Sequence, residues 1–157
     1  MRRWLLALSL LLVPLSARAD FADGLRAYDA GDYESALAEW APLARAGDGD
    51  ALLALAGLYR QGLGAAPDLA RAAGLYRRAA EQGAVIAQLN LGDLYARGQG
   101  VARDLVRAYM WLELAARQQH GWAATRRDGI RPAMTAAQVA EARRLADAWR
   151  SGKTTTR

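Results

Sequence analysis

Apolar residues along the middle of the chain recur at steps of three and four, which is the spacing of one face of an α-helix. One such run covers about residues 50–61 and ends at Gly62, because glycine accepts the left-handed backbone common just past a helix. A second run follows Asp68, a residue type that caps helix starts. The pattern predicts two helices joined by a glycine-containing turn. Their expected buried positions are Ala51, Leu55, Leu58 and Tyr59, then Leu69, Ala72, Tyr76, Ala79 and Ala80.

This two-helix pattern returns 36 residues further along the chain. Aligning residues 47–82 with residues 83–118, without a gap, gives 16 identical positions out of 36. A period of 20–50 residues is typical of stacked units that bury their apolar faces against their neighbours. The chain is therefore predicted to be all-α, an α-solenoid of stacked antiparallel helix pairs.

The repeat weakens on both sides of these two units. Residues 28–44 form a degenerate copy with a tighter turn through Gly31, whereas after Gln118 the register is lost. A short helix is predicted at about residues 122–128, and a final helix follows Thr135, which suits an N-cap. The prediction is about three repeats plus a C-terminal capping helix within residues 20–150, followed by a disordered tail at residues 151–157.

The first 19 residues have the three parts of a secretory signal peptide. Arg2 and Arg3 precede an apolar stretch from Trp4 to Leu15, and residues 17–19 supply the small residues of a cleavage site. The apolar stretch is shorter than the roughly 20 residues of a membrane-spanning helix. We therefore expect cleavage after Ala19, a periplasmic or secreted protein, and no integral membrane segment in the mature chain.

Charge and composition narrow the possible functions. The full chain carries 21 basic and 16 acidic residues, a net charge of +5. Removing the leader and residues 150–157 takes away six basic residues and leaves 15 against 16, so the folded part is nearly neutral and a nucleic-acid interface is not expected. Cysteine is absent and there is one histidine, so no thiolate chemistry, metal site or cofactor is predicted.

Several short motifs favour ordinary structural roles. Gly62 and Gly98 each begin a Gly-x-Gly sequence at the same repeat position. Neither is followed by the further residues that a phosphate-binding loop needs, so both are interpreted as turns. His120 is interpreted as a surface loop residue, because a lone histidine is not a site. The four tryptophans of the predicted domain are assigned to packing in the core and cap: Trp40, Trp111, Trp122 and Trp149.

Two segments resemble Sel-1-like repeats, relatives of tetratricopeptide repeats. They are ALLALAGLYRQGLGAAPDLARAAGLYRRAAEQG and AQLNLGDLYARGQGVARDLVRAYMWLELAA, and the resemblance rests on their Leu-Tyr, Gly-x-Gly and Ala-Ala spacing. Ala56 stands where such repeats usually have glycine. The run from Tyr109 to Trp149 resembles the closing module of secreted bacterial members. The resemblance implies a non-catalytic α-solenoid that scaffolds protein–protein contacts.

Helical spacing predicts where a protein or peptide partner binds. If the first helices of the units line the concave face, positions outside their packing pattern point into it. The candidate contact residues are Arg26, Leu53, Arg60, Leu89, Asp93 and Arg97. The opposing interpretation is that the two leucines complete the core. Leu52, which does not repeat, is expected to tolerate substitution, and the oligomeric state stays open.

Two other functions remain as alternatives to this scaffold. The first is a small periplasmic hydrolase that acts on cell-envelope material through two carboxylates facing each other across the concave surface. The second is an assembly subunit that supports a larger complex without binding peptide itself.

Overall fold

A computed structural model describes residues 20–150 and residue 152. The predicted leader and all but one residue of the predicted tail lie outside the described residues. The described chain forms α1 (Phe21–Asp29), α2 (Tyr33–Ala46), α3 (Gly49–Gln61), α4 (Leu69–Glu81), α5 (Val85–Arg97), α6 (Leu105–Arg117), α7 (Gly121–Ile130), a 3₁₀ turn (Arg131–Ala133) and α8 (Ala136–Arg150).

The helices stack as consecutive pairs. Each helix from α1 to α6 packs against the next one along the chain, and α8 returns to pack against α6. The pairs α1–α2, α3–α4 and α5–α6 are the three repeats, and α8 covers the last of them. The α-solenoid prediction is confirmed. We refer to α1, α3, α5 and α7 as the A helices and to α2, α4, α6 and α8 as the B helices.

Local sequence signals set the helix starts. The side chain of Asp68 accepts a hydrogen bond from the Arg71 amide at 2.8 Å, as predicted, and Asp104 does the same one repeat later. At α8, the Thr135 hydroxyl accepts from the Gln138 amide at 3.2 Å while the Gln138 side chain accepts from the Thr135 amide at 2.9 Å. This reciprocal pair is a capping box, which satisfies two backbone donors that the helix itself leaves unpaired.

A repeated glycine joins one unit to the next. Gly64 and Gly100 have φ values of +72° and +70°, a region that L side chains rarely adopt. A Cβ on Gly64 would lie 2.5 Å from the carbonyl oxygen of Tyr33, and one on Gly100 would collide with the carbonyl of Leu69. Each glycine therefore lets the turn of one unit contact the first residue of the preceding unit's B helix.

The core is rich in alanine, and it buries one residue that the sequence pattern placed outside it. Leu52 is 0% exposed, so the expectation that it tolerates substitution is wrong. The reason is that α3 packs against both α2 and α4, which buries a stripe wider than one helix face. The equivalent Gln88 is also fully buried, donating to the Ala80 carbonyl at 3.3 Å and accepting from Gln118 at 3.0 Å.

Three of the four tryptophans pack as expected and one does not. Trp40 stacks on Phe21 with ring centroids 5.3 Å apart, and Trp111 meets Trp149 edge to face at 6.2 Å. Trp122 on α7 is 72% exposed. Its assignment to packing is wrong, because α7 buries only Ala123 fully and turns the residue before it outward.

Candidate functional site

The surface presented by α1, α3, α5 and α7, here called the A-helix face, contains two depressions. The first lies between α1 and α3, has a volume of about 250 Å³, and is here called the apolar depression. It contains no charged side chain. Its lining residues are Phe21, Leu25, Tyr28, Trp40, Leu53, Ala54, Gly57, Leu58 and Gln61.

The second depression has a volume of about 210 Å³ and is here called the basic depression. Helices α3, α5 and α7 all contribute to it. Its lining residues are Arg60, Asn90, Asp93, Leu94, Arg97, Gln99 and Arg126. Three guanidinium groups thus surround one carboxylate, which leaves an excess of two positive charges.

Only one of these arginines has an acidic partner. Arg126 of α7 forms an ion pair with Asp93 of α5 at 3.5 Å. Within residues 20–150, neither Arg60 nor Arg97 has a carboxylate within ion-pair distance. Both residues are exposed. A charged guanidinium without a carboxylate partner is available to bind an anionic group from another molecule.

The two depressions use the same four positions of consecutive A helices. Four lining residues of the apolar depression, each shifted by 36 positions, give four lining residues of the basic depression. The equivalent pairs are Ala54 and Asn90, Gly57 and Asp93, Leu58 and Leu94, and Gln61 and Arg97. The two depressions therefore share one leucine, and the other three positions change to more polar or charged side chains, which makes the second depression basic.

The structure brings together three of the six predicted contact residues, since Arg60, Asp93 and Arg97 line the basic depression. A fourth, Leu53, lines the apolar depression and also packs against the core. Leu89 is half-buried and lines neither depression.

Arg26 also lines neither depression. Its side chain is 73% exposed and forms an ion pair with Asp23 on its own helix.

The basic depression also contains a residue that the sequence pattern did not indicate. Arg126 belongs to it, although α7 lies outside the clear repeats and no periodicity points to it. Arg60 and Arg97 occupy different repeat positions, because Arg60 is equivalent to Ala96 and Arg97 to Gln61. They reach the same depression from two different helices.

A partly buried ion network holds α7, and with it Arg126, in place. The Glu113 carboxylate of α6 accepts from Arg117 at 2.7 Å and from Arg127 of α7 at 2.8 Å. Arg117 also donates to Asp147 of α8 at 2.6 Å. Burial raises the pKa of Glu113, but the hydrogen bonds from the two arginines outweigh it and hold the pKa below its usual value.

The described residues offer little for other chemistry. No group of three His, Asp or Glu side chains within residues 20–150 is arranged to hold a metal ion. His120, just before α7, has a buried Nδ1 without a hydrogen-bond partner. The basic depression contains a single carboxylate and the apolar depression none, so neither provides the paired acids that the hydrolase alternative needs.

None of the helices within the described part of the chain has the length and apolar character needed to cross a membrane.

Stacked helix pairs with an alanine-rich core define the class of protein: an α-solenoid repeat protein. A family model for the Sel1 repeat matches residues 49–83 and 85–120, so the second and third helix pairs are Sel1 repeats. Such repeats commonly serve protein–protein interaction. No curated protein sequence matches this chain.

Two solved structures resemble this fold. One is a protective antigen present in uropathogenic Escherichia coli strains that displays an SLR fold, with 28% identity and a TM-score of 0.78 over 83% of this chain. The other is a Sel1 repeat protein from Oxalobacter formigenes, with 32% identity and a TM-score of 0.66 over 71% of this chain. The matched region spans 29% and 46% of those two proteins respectively.

Proposed function

We propose that this protein is an exported, non-catalytic scaffold that binds a peptide or protein segment through the A-helix face. The observation that carries the proposal is the pair of adjoining depressions on one face, with Arg60 and Arg97 lacking carboxylate partners within the described chain. Building these depressions on rigid helices rather than loops gives a preorganised surface, which lowers the entropic cost of binding.

The contact residues divide by chemistry. Leu53 offers an apolar contact, and Arg60 and Arg97 offer charge-assisted hydrogen bonds. Asp93 holds Arg126 at the edge of the basic depression rather than contacting an anionic partner itself. In this proposal Leu89 and Arg26 lie at the margins of the contact area.

Export is proposed from the N-terminal sequence. The basic start, apolar stretch and small residues before Asp20 support a cleaved signal peptide and a periplasmic or secreted location. The partner is then another exported protein or an exposed segment of an envelope protein.

A capture experiment tests the proposed function. Immobilised mature protein, residues 20–157, is incubated with envelope extract, and each captured protein is then purified and its direct binding measured. We expect Arg60→Glu with Arg97→Glu to abolish that direct binding, because two charges of the basic depression are reversed. The helical circular dichroism signal and melting temperature should stay unchanged, since Arg60 and Arg97 are both exposed.

The matched control reverses two exposed arginines on B helices. Arg78→Glu with Arg150→Glu makes the same change in net charge away from the A-helix face. Equal binding by the two double variants would move the binding site away from this face.

A further inference from the structure

We propose that the A-helix face recognises a partner segment in which one acidic side chain is flanked by apolar side chains about three residues away. The acidic group binds in the basic depression, one apolar group binds in the apolar depression, and the other packs on Trp122. This proposal rests on the proposed function and specifies the partner's chemistry. It also assigns a ligand contact to α7, the helix outside the clear repeats.

The charge of the basic depression selects an acidic group. Asp93 neutralises one guanidinium, that of Arg126. Arg60 of α3 and Arg97 of α5 line the same depression, and neither has a carboxylate partner within residues 20–150. A carboxylate placed between them accepts hydrogen bonds from planar guanidinium groups, a geometry that favours paired contacts. A side-chain amide has the same shape as a carboxylate but no charge, so the basic depression distinguishes the two groups by electrostatics.

The repeat sets the spacing between the acidic and the apolar group. The two depressions use equivalent positions of neighbouring A helices, and an α-helix with its side chains is about 10–12 Å across. An extended chain advances about 3.3 Å per residue. Three residues therefore span the distance from one depression to the next.

Trp122 offers a further apolar contact on the next A helix, α7. It lies one turn before Arg126 on α7, so both side chains are on one face of that helix, and Arg126 reaches Asp93 on α5. Trp122 is therefore placed beside the basic depression, on the side away from α3. Its indole is 72% exposed, the largest exposed fraction among the large hydrophobic residues described, and a second apolar group would cover it.

Exposure of a second large side chain agrees with this arrangement. Leu25 is 44% exposed and lines the apolar depression, so each of the two proposed apolar contacts contains an incompletely covered side chain. Exposed apolar side chains beside polar ones mark protein interaction sites more often than isolated ones do.

A symmetric pair of blocked peptides tests the proposal. The probes are acetyl-Leu-Ser-Ser-Glu-Ser-Ser-Leu-amide and the same peptide with Gln in place of Glu. Because the order of side chains is the same from either end, the direction of binding does not affect the result. Dissociation constants of the mature protein are measured by NMR titration, following the arginine Nε–H and tryptophan Nε1–H signals.

We expect the Glu peptide to bind about tenfold more tightly than the Gln peptide, the effect of one hydrogen-bonded charge. Arg97→Gln, which copies the equivalent Gln61, should remove most of that difference, whereas Arg150→Gln should preserve it. Trp122→Ala should weaken both peptides by the same factor and leave their ratio unchanged. Inorganic phosphate should compete no better than its ionic strength explains.

Three results would overturn the proposal. They are binding of neither peptide, equal binding of both, and displacement by phosphate at concentrations that match the peptide, which would reassign the depression to phosphate. None of these results contradicts the proposed function that the capture experiment tests, because a scaffold can bind its partner elsewhere on the A-helix face. Loss of direct binding in that experiment's control variant would instead contradict the proposed function.

Discussion

The Leu112 side chain on α6 packs directly against Gly92 on α5. A Cβ on Gly92 would lie 2.7 Å from Cγ of Leu112 and 3.2 Å from the carbonyl oxygen of Ala108. The two helices of the third repeat therefore leave no space for a side chain at position 92. The equivalent position in the preceding repeat holds Ala56, which is fully buried, so that helix pair accommodates one methyl group.

Gly92→Leu should destabilise the fold by at least about 1–3 kcal/mol, because the new side chain has no space between α5 and α6. The matched control is Gly74→Leu on α4, where a Cβ would have no neighbour within 4 Å. Replacing an exposed helical glycine should be neutral or stabilising by about 0.5–1 kcal/mol. Thermal unfolding measures both, and equal melting temperatures would contradict the α5–α6 packing described here.

Leu52→Ala should cost about 2–5 kcal/mol, the range for removing a fully buried leucine. Leu53→Ala should cost less, because the neighbouring side chain is only half-buried and lines the apolar depression. Urea unfolding of the two variants provides the comparison. A Leu53 variant as unstable as the Leu52 variant would show that Leu53 serves the core and is not available to a partner.

Glu113→Gln should destabilise the protein at neutral pH by about 1–3 kcal/mol, because Arg117 and Arg127 lose a charged partner. The pKa of Glu113 is lowered in the folded protein. Its stabilising contribution is therefore complete above the unfolded pKa of about 4.3 and is lost as the pH falls through the folded value. The melting-temperature difference between wild type and variant should shrink in acid.

The control for this pH dependence is Glu141→Gln. Its pKa is also lowered, by the hydrogen bond from Arg144, but the pair is on the surface of α8 and solvent screens it. We expect a small effect at every pH. A Glu113 variant whose deficit stays constant from neutral to acidic pH would show that packing, and not charge, explains the loss.

The mature protein should begin at Asp20. Intact-mass measurement of the protein isolated from the envelope fraction should give the mass of residues 20–157, because the sequence before Asp20 has the features of a cleaved leader. Retention of residues 1–19 in that fraction would contradict the proposed export of a processed protein.

The sequence by itself determined the helices and their pairing. Hydrophobic spacing, a 36-residue period and capping residues such as Asp68 and Thr135 are local signals, so they can be interpreted without knowing what packs where. Helical spacing within the A helices made Arg60, Asp93 and Arg97 candidates for one surface. Each of these predictions rests on a pattern within one helix or on its repetition along the chain.

Only the tertiary structure decided which positions are buried and which are available to a partner. Leu52 is buried because α3 is packed on two sides, and Trp122 is exposed because α7 buries a narrow stripe. Arg126 enters the basic depression because the Glu113–Arg127 contact and its own ion pair with Asp93 place α7 beside α5. These outcomes depend on contacts between residues far apart in sequence, which no periodic pattern encodes.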